Sequence, residues 1–327
     1  MLSDQFGRSH NYLRISLTDR CNFRCTYCMP DDRPGAYQWL KGLMTADEIV
    51  SIAKVFTDLG VTKIRLTGGE PLVRKDAAEI ILRLADLPAK LTLTTNGVLV
   101  DEFIPVFKKA GIRSLNLSLD SLERSAFHKI VQRDLFDKVM QNIDLLIADN
   151  FHLKLNMVVM KGVNDHEIPA FIELTKDIDI HVRFIEYMPF AGNHWELNKV
   201  VSEADVLSQA AAYAPFEKLS DDIHSTARAW RAADHKGTFA VISTMTHPFC
   251  GSCNRLRLTA DGKMKNCLFS ATETDLLSIL RSGGNLETAV RENVFGKKAA
   301  RGGQMEGTLE DIVPEEMKNR SMISIGG

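Results

Sequence analysis

Thr18-Asp19-Arg20-Cys21-Asn22-Phe23-Arg24-Cys25-Thr26-Tyr27-Cys28-Met29-Pro30 sets three cysteines in a C-x3-C-x2-C pattern, directly after the alternating, strand-like run Tyr12 to Leu17. Cysteine thiolates are the usual ligands of iron–sulfur clusters, so three this close can hold three irons of a [4Fe–4S] cube. The fourth iron then lacks a protein ligand, and an open metal position is where a small molecule can bind and react. A zinc knuckle is the competing reading. Structural zinc takes four protein ligands, and the nearest histidine, His10, lies eleven residues upstream of Cys21.

At 327 residues the chain can bury a large core, as one barrel-sized domain or a domain with an extension. A formal charge of −2 predicts no global affinity for nucleic acid or membrane, so an anionic ligand needs a local basic cluster. No apolar run reaches the eighteen or so residues of a membrane span, and Met1 to Asn11 is too polar for a signal peptide. The expectation is a reducing cytoplasm. There the six cysteines, Cys21, Cys25, Cys28 and Cys250, Cys253, Cys267, read as two metal trios rather than as disulfides.

Moving outward, strand-like and helical patterns alternate. Strands are expected at Tyr12–Thr18, Lys63–Thr67, Leu91–Thr95, Ser114–Ser118, Leu153–Met160 and Ile180–Tyr187. Helices are expected near Thr45–Leu59, Ala77–Ala85, Asp101–Ala110, through Arg124–Asp149, and at Asp165–Lys176. Thr45 with Glu48 has the form of a capping box. The alternation indicates βαβ units, a parallel sheet and, with right-handed crossovers, a partial six-stranded TIM-type (βα)6 barrel of the α/β class. Polar groups gather at the strand ends, as a barrel site requires: Thr67 to Pro71, Thr94 to Gly97, Ser118 to Ser121, and Glu186 to Met188. A doubly wound sheet competes, but no G-x-G-x-x-G follows the first strand.

The pattern changes after Pro189, which divides the chain into a barrel, residues 1–188, and a C-terminal extension, 189–327. Within the extension Ser202–Ala214 reads as a helix and Phe216 to Thr246 as irregular or β-like. Pro215–Lys236 and the Gly-rich Lys297–Gly307 carry no assigned role.

The second trio, Cys250-x2-Cys253-x13-Cys267, has two readings: three thiolates with an open iron, or a Cys3His zinc site completed by His247. Arg255-Leu256-Arg257 would point both guanidiniums to one face of a strand, where they can grip an anion. Arg14, Arg65, Lys154 and Arg183 also lie within strand-like runs, where a charge is costly unless it faces a polar cavity. Four such positions in parallel strands favour a shared anion site.

The first trio, with Tyr27 just before its last cysteine, resembles the signature of the radical S-adenosylmethionine (SAM) enzymes, and Gly68-Gly69-Glu70-Pro71 resembles their segment that grips the methionyl amino group. The two trios, Arg255-Leu256-Arg257 and the terminal Gly326-Gly327 together resemble the GTP 3′,8-cyclase family of molybdenum cofactor biosynthesis, from Tyr12 to Gly327. The resemblance implies two [4Fe–4S] clusters, held by Cys21, Cys25, Cys28 and by Cys250, Cys253, Cys267. It implies a 5′-deoxyadenosyl radical that takes hydrogen from C3′ of GTP, closure of C3′ onto guanine C8, and reduction to 3′,8-cyclo-7,8-dihydro-GTP. Tyr27, Gly69, Glu70, Ser118 and Met188 would then contact SAM. Arg14, Arg65, Thr94, Lys154, Arg255, Leu256 and Arg257 would contact GTP, with Arg183 assisting. The implied partners are an electron donor such as flavodoxin or ferredoxin, cyclic pyranopterin monophosphate synthase as recipient of the product, and a second copy in a homodimer.

Overall fold

The computed structural model describes residues 1–29, 39–305 and 307–326; Pro30 of the opening stretch and Gly327 lie outside them. The chain runs β1 (Tyr12–Ser16), α1 (Ala46–Asp58), β2 (Lys63–Thr67), α2 (Ala77–Ala85), β3 (Lys90–Thr95) and α3 (Val100–Lys109). It continues through β4 (Ser114–Ser118), α4 (Arg124–Val131), α5 (Phe136–Ala148), β5 (His152–Val159), α6 (Ile168–Glu173) and β6 (His181–Glu186). Next come α7 (Glu203–Tyr213), β7 (Phe216–Lys218), β8 (Arg228–Ala232) and β9 (Thr238–Ile242). Last are β10 (Arg255–Leu258), β11 (Lys263–Lys265), β12 (Thr274–Asp275), α8 (Leu276–Arg281), α9 (Leu286–Phe295) and α10 (Met322–Ile325).

Strand order is β12-β11-β10-β1-β2-β3-β4-β5-β6-β9-β8-β7. The six expected parallel strands are present and consecutive. The extension does not merely pack on them: β10 pairs parallel with β1 and β9 parallel with β6, each followed outward by antiparallel strands. The sheet curls strongly. Arg183 of β6 lies within electrostatic reach of Arg255 of β10, six strand spacings away, about 29 Å if the sheet were flat.

Period-two alternation divides the strands. Leu13, Ile15 and Leu17 face the apolar layer, as do Ile64, Leu66, Leu93, Leu115, Leu117, Leu153 and Leu155. Against them α1 sets Ile49, Ile52, Ala53 and Phe56, the i, i+3, i+4, i+7 stripe of an amphipathic helix. Each such large side chain contributes roughly 1.5–3 kcal/mol by leaving water. Thr45 and Glu48 do form a capping box, and Ser202 caps α7 with Asp205.

Two expectations change, and for a third the β-like alternative is the one that holds. The helical run from Arg124 is two helices, because Gln132 takes a left-handed conformation (φ 53°) that ends α4. The helix expected over Asp165–Lys176 is a 3-10 turn, Asp165–Glu167, leading into the short α6, with Pro169 in its first turn where the missing N–H costs nothing. The stretch from Phe216 is three regular strands, β7 to β9, that widen the sheet. Among the described residues, no helix is long and apolar enough to cross a membrane.

Candidate active site

The first cysteine loop leaves the C-terminal end of β1 and docks on α4. Arg24 N donates to Val131 O (2.9 Å) and Thr26 N to Ile130 O (3.0 Å), satisfying carbonyls that the end of a helix leaves unpaired. Phe23 is buried edge-on against Phe127. The Tyr27 hydroxyl donates to Asp120 Oδ2 (2.8 Å), and Asp120 Oδ1 accepts from Val158 N. Asn193 Nδ2 donates to the carbonyls of Tyr27 (3.2 Å) and Met188 (2.8 Å). The loop is therefore gripped from β4, β5 and the start of the extension. Asp120 and Asn193 are site residues that the sequence did not single out; Asp120 lay in a strand-end cluster, whereas nothing local marks Asn193.

Gly68 and Gly69 are needed for contact with the chain itself. A Cβ on Gly69 would stand 2.4 Å from Arg20 O, and one on Gly68 2.6 Å from Thr18 O. Gly69 N donates to Thr18 O and Glu70 N to Arg20 O, so this turn aligns the approach to Cys21. Glu70 is buried and spends its carboxylate on Leu72 N, Thr95 Oγ1 (2.8 Å) and Asn96 N (2.7 Å). Burial raises it to about 7 in spite of those donors.

The concave face of the sheet is cationic. Arg257, Arg14, Arg65 and Thr92 share one rung across β10, β1, β2 and β3, and Thr94, Asn116 and Lys154 share another. Arg65 Nε donates to the Tyr12 hydroxyl (2.5 Å), and its Nη1 reaches Leu93 O (3.0 Å) and Thr94 Oγ1 (3.4 Å). Arg255 and Arg257 share a face as expected, while Leu256 between them is fully buried in the core, so the structure does not present it to a ligand. Burial and mutual repulsion destabilise the charged forms of Arg14, Arg183 and Arg257. A guanidinium keeps its proton regardless, so the face is short of anions. Burial with the Arg183, Lys63 and Arg65 charges brings Lys154 down to about 7. Burial alone would raise Tyr12, but Arg65, Arg14 and Arg255 outweigh it and hold the phenol at about 7. The Nε atoms of Arg183 and Arg255 are buried without a partner among the described residues. Ser118, at the end of β4, registers with Asn156, whose buried amide oxygen is also unpartnered.

The second trio lies at the opposite end. Cys250 and Cys253 precede β10, which runs parallel to β1, and Cys267 follows the antiparallel β11 back to the same side. Strand polarity thus puts one trio after β1 and the other before β10, separated by about 16 Å of strand. The unassigned segment 215–236 contributes here: Arg255 Nη2 donates to Thr226 Oγ1 (2.8 Å), and His224 Nδ1 contacts Ser252 O (2.8 Å). His247 Nδ1 accepts from Arg228 (2.8 Å). Among the described residues no three His, Cys, Asp or Glu side chains are grouped as they would be around one ion, and His247 Nδ1 is engaged by Arg228.

Both trios suit a cube, whose thiolates spread over separate irons. All six thiols are free. Cys28 feels Cys21, and Cys267 feels Cys253 and Cys250. Burial pushes Cys21 up to about 12, with Glu70 adding to it; Asp120 acts likewise on Cys25 after burial. Such thiols ionise only against a strongly cationic centre. Around the second trio the charges reverse: against burial, Lys297 and Arg255 hold Cys253 below its usual value.

The tail enters this interior. Gly326 is buried against Ser16 and Thr67 at the ends of β1 and β2, and Arg257 Nη1 donates to its carbonyl.

Residues 15–175 match the Radical SAM superfamily and 180–302 match Molybdenum Cofactor Synthesis C. The chain is 45% identical to the mitochondrial GTP 3′,8-cyclase of Arabidopsis thaliana over 100% of its own length and 84% of that protein's. It is 40% identical to the GTP 3′,8-cyclase of Peptoclostridium acidaminophilum, covering 100% of this chain and 98% of that one. The chain belongs to the GTP 3′,8-cyclase family. Molybdenum cofactor biosynthesis protein 1 of Mus musculus is 43% identical over 99% of this chain, which spans about half (51%) of that longer protein. Crystal structures of Streptococcus suis SuiB share the radical SAM fold, with a TM-score of 0.63 at 16% identity over 97% of this chain and 76% of that one. As a family member the chain takes SAM and two [4Fe–4S] clusters, and the two trios are the sites that fit them.

Proposed function

We propose that this chain is a GTP 3′,8-cyclase, a radical SAM lyase that converts GTP to 3′,8-cyclo-7,8-dihydro-GTP at the start of molybdenum cofactor biosynthesis. The observation that carries the substrate is the cationic interior between the trios, where Arg183 and Arg255 have buried Nε donors without a partner among the described residues. A nucleoside triphosphate supplies what that interior lacks, whereas a neutral peptide would leave it repelling itself.

Cys21, Cys25 and Cys28 would hold the first cluster, which would supply the electron for reductive cleavage of SAM as the radical source, and Cys250, Cys253 and Cys267 would hold the second. Tyr27, Gly69, Glu70, Ser118 and Met188 line the SAM side. Arg14, Arg65, Lys154, Arg183, Arg255 and Arg257 bind and orient the triphosphate nucleotide, with Thr94 held toward it by Arg65. Leu256, buried between Arg255 and Arg257, supports the strand that carries them. Gly326, tied to Arg257, excludes water from the upper part of the cavity.

The same reading places the protein in the cytoplasm, with flavodoxin or ferredoxin as reductant, cyclic pyranopterin monophosphate synthase next in line, and a homodimer as its assembly. It keeps a division at 188/189, near the junction of the two matched families. Anaerobic incubation with SAM, reductant and GTP tests the activity: 5′-deoxyadenosine should form faster with GTP than without, and a rate indifferent to GTP would remove it as substrate.

A further inference from the structure

The Gly-rich run after α9, which has no sequence motif to explain it, wraps the second trio. Lys297 is almost completely buried. Its Nζ lies 3.6 Å from Cys253 Sγ and donates to Arg255 O at 3.0 Å. Four residues on, Arg301 N donates to Cys250 Sγ at 3.4 Å. Two sulfurs of one trio therefore receive N–H donors from a single short segment, and one donor is an ammonium.

A second structure fixes that segment. Arg8, near the start of the chain, donates to Cys250 O (2.8 Å), Ala299 O (2.7 Å) and Lys298 O (2.7 Å). Asp4 in turn accepts from Arg8 Nε (2.6 Å) and contacts buried His10 Nε2 (3.0 Å), while Gln5 Nε2 donates to Lys297 O (3.1 Å). This hook holds the backbone of Lys297 against the cysteine loop. A lysine is ordinarily a mobile surface charge; here a buried ammonium is aimed at a cluster ligand.

We propose that Lys297 is a positioning residue for the second cluster, holding its Cys253 corner and raising that cluster's reduction potential. This rests on the second trio carrying a cluster. Potentials of such clusters rise with positive charge and hydrogen bonds at the sulfurs. The first trio has mixed company: the carboxyl groups of Glu70 and Asp120 stand near it, while Arg24 Nη1 donates to Cys21 O (2.7 Å) and Phe23 N to Cys21 Sγ (3.3 Å).

The test uses the full chain with Cys21, Cys25 and Cys28 replaced by Ala, so that one cluster remains, reconstituted anaerobically and titrated with dithionite under EPR. About four irons per chain are expected in that parent. Lys297→Met should keep the iron and lower the reduction equilibrium constant at least tenfold, about 59 mV for one electron. Lys297→Arg should recover most of the shift. A Met midpoint equal to the parent's at equal iron overturns the role of Lys297. Should Lys297→Met lose iron, the comparison moves to Lys297→Arg and Lys297→Gln: a higher midpoint for Arg supports the proposal, and equal midpoints refute it. An iron-free parent, with Lys297 intact, would instead remove the cluster itself and the inference with it.

Discussion

Arg257 Nη1 donates to the carbonyl of Gly326 at 2.8 Å, joining β10 to a tail 69 residues later in the chain. Gly326 has φ 87°, and a Cβ there would stand 2.6 Å from Thr67 Oγ1 and 2.9 Å from Ser16 Cβ. Both the backbone and the space exclude a side chain. Gly326→Ala should therefore displace the tail and cut GTP-dependent turnover at least tenfold, about 1.4 kcal/mol, with thermal stability and iron content near wild type. Turnover within twofold of wild type would show the tail to be a passive plug.

At the other glycine that matters, Gly69→Ala sets a methyl 2.4 Å from the Arg20 carbonyl, which is main chain and cannot swing aside. The approach to Cys21 must then move. The expected result is loss of about half the bound iron, that of the first cluster, while the signal of the second persists. Full iron with unchanged SAM cleavage would mean the turn tolerates the shift.

Arg183 sits in the concave face with an unpartnered Nε and other cations around it. Removing a half-buried cation whose Nε has no partner among the described residues relieves roughly 1 kcal/mol. Arg183→Met should raise the melting temperature of the ligand-free protein while weakening GTP at least tenfold by equilibrium binding. A lower melting temperature would show that Arg183 is a structural strut.

Proton linkage offers a further check. Lys154 is held at about 7 in the free protein against its usual 10.5. Below pH 7 it is charged in folded and unfolded chains alike, and the folded state carries the repulsion. Between about 7 and 10.5 only the unfolded chain keeps the proton, so stability gains with rising pH through that window. A bound triphosphate reverses the preference by favouring the ammonium. Binding at pH 8 should therefore take up protons, and affinity should fall as pH rises above 7. Tyr12, also near 7, pulls the same way, since a neutral phenol suits an anion better than a phenolate. Calorimetry in two buffers of different ionisation enthalpy should show the uptake, reduced in Lys154→Gln and again in Tyr12→Phe. Equal heats in both buffers would contradict it.

How far these sites were legible depended on distance along the chain. The trios, the Gly-Gly turn and the Arg-Leu-Arg alternation are local patterns, each explained by a few adjacent bonds. Asn193 and Asp120 are ordinary loop residues until the fold brings them to Tyr27. Lys297 looked like one of many lysines, because its meaning comes from Arg8 and Asp4 at the far end of the chain.

The amino-acid sequence by itself determined the strand and helix alternation, the two cysteine trios and the cations set within strands, since these follow from residue spacing and from period-two and period-3.6 burial. Only the tertiary structure decided that the extension completes the sheet at both edges, and that the trios stand at opposite ends of it. It alone decided that a buried lysine lies against a sulfur of the second trio. Those outcomes depend on which strands pair and in which direction, and pairing energy is spread over contacts between segments that no short window of sequence contains.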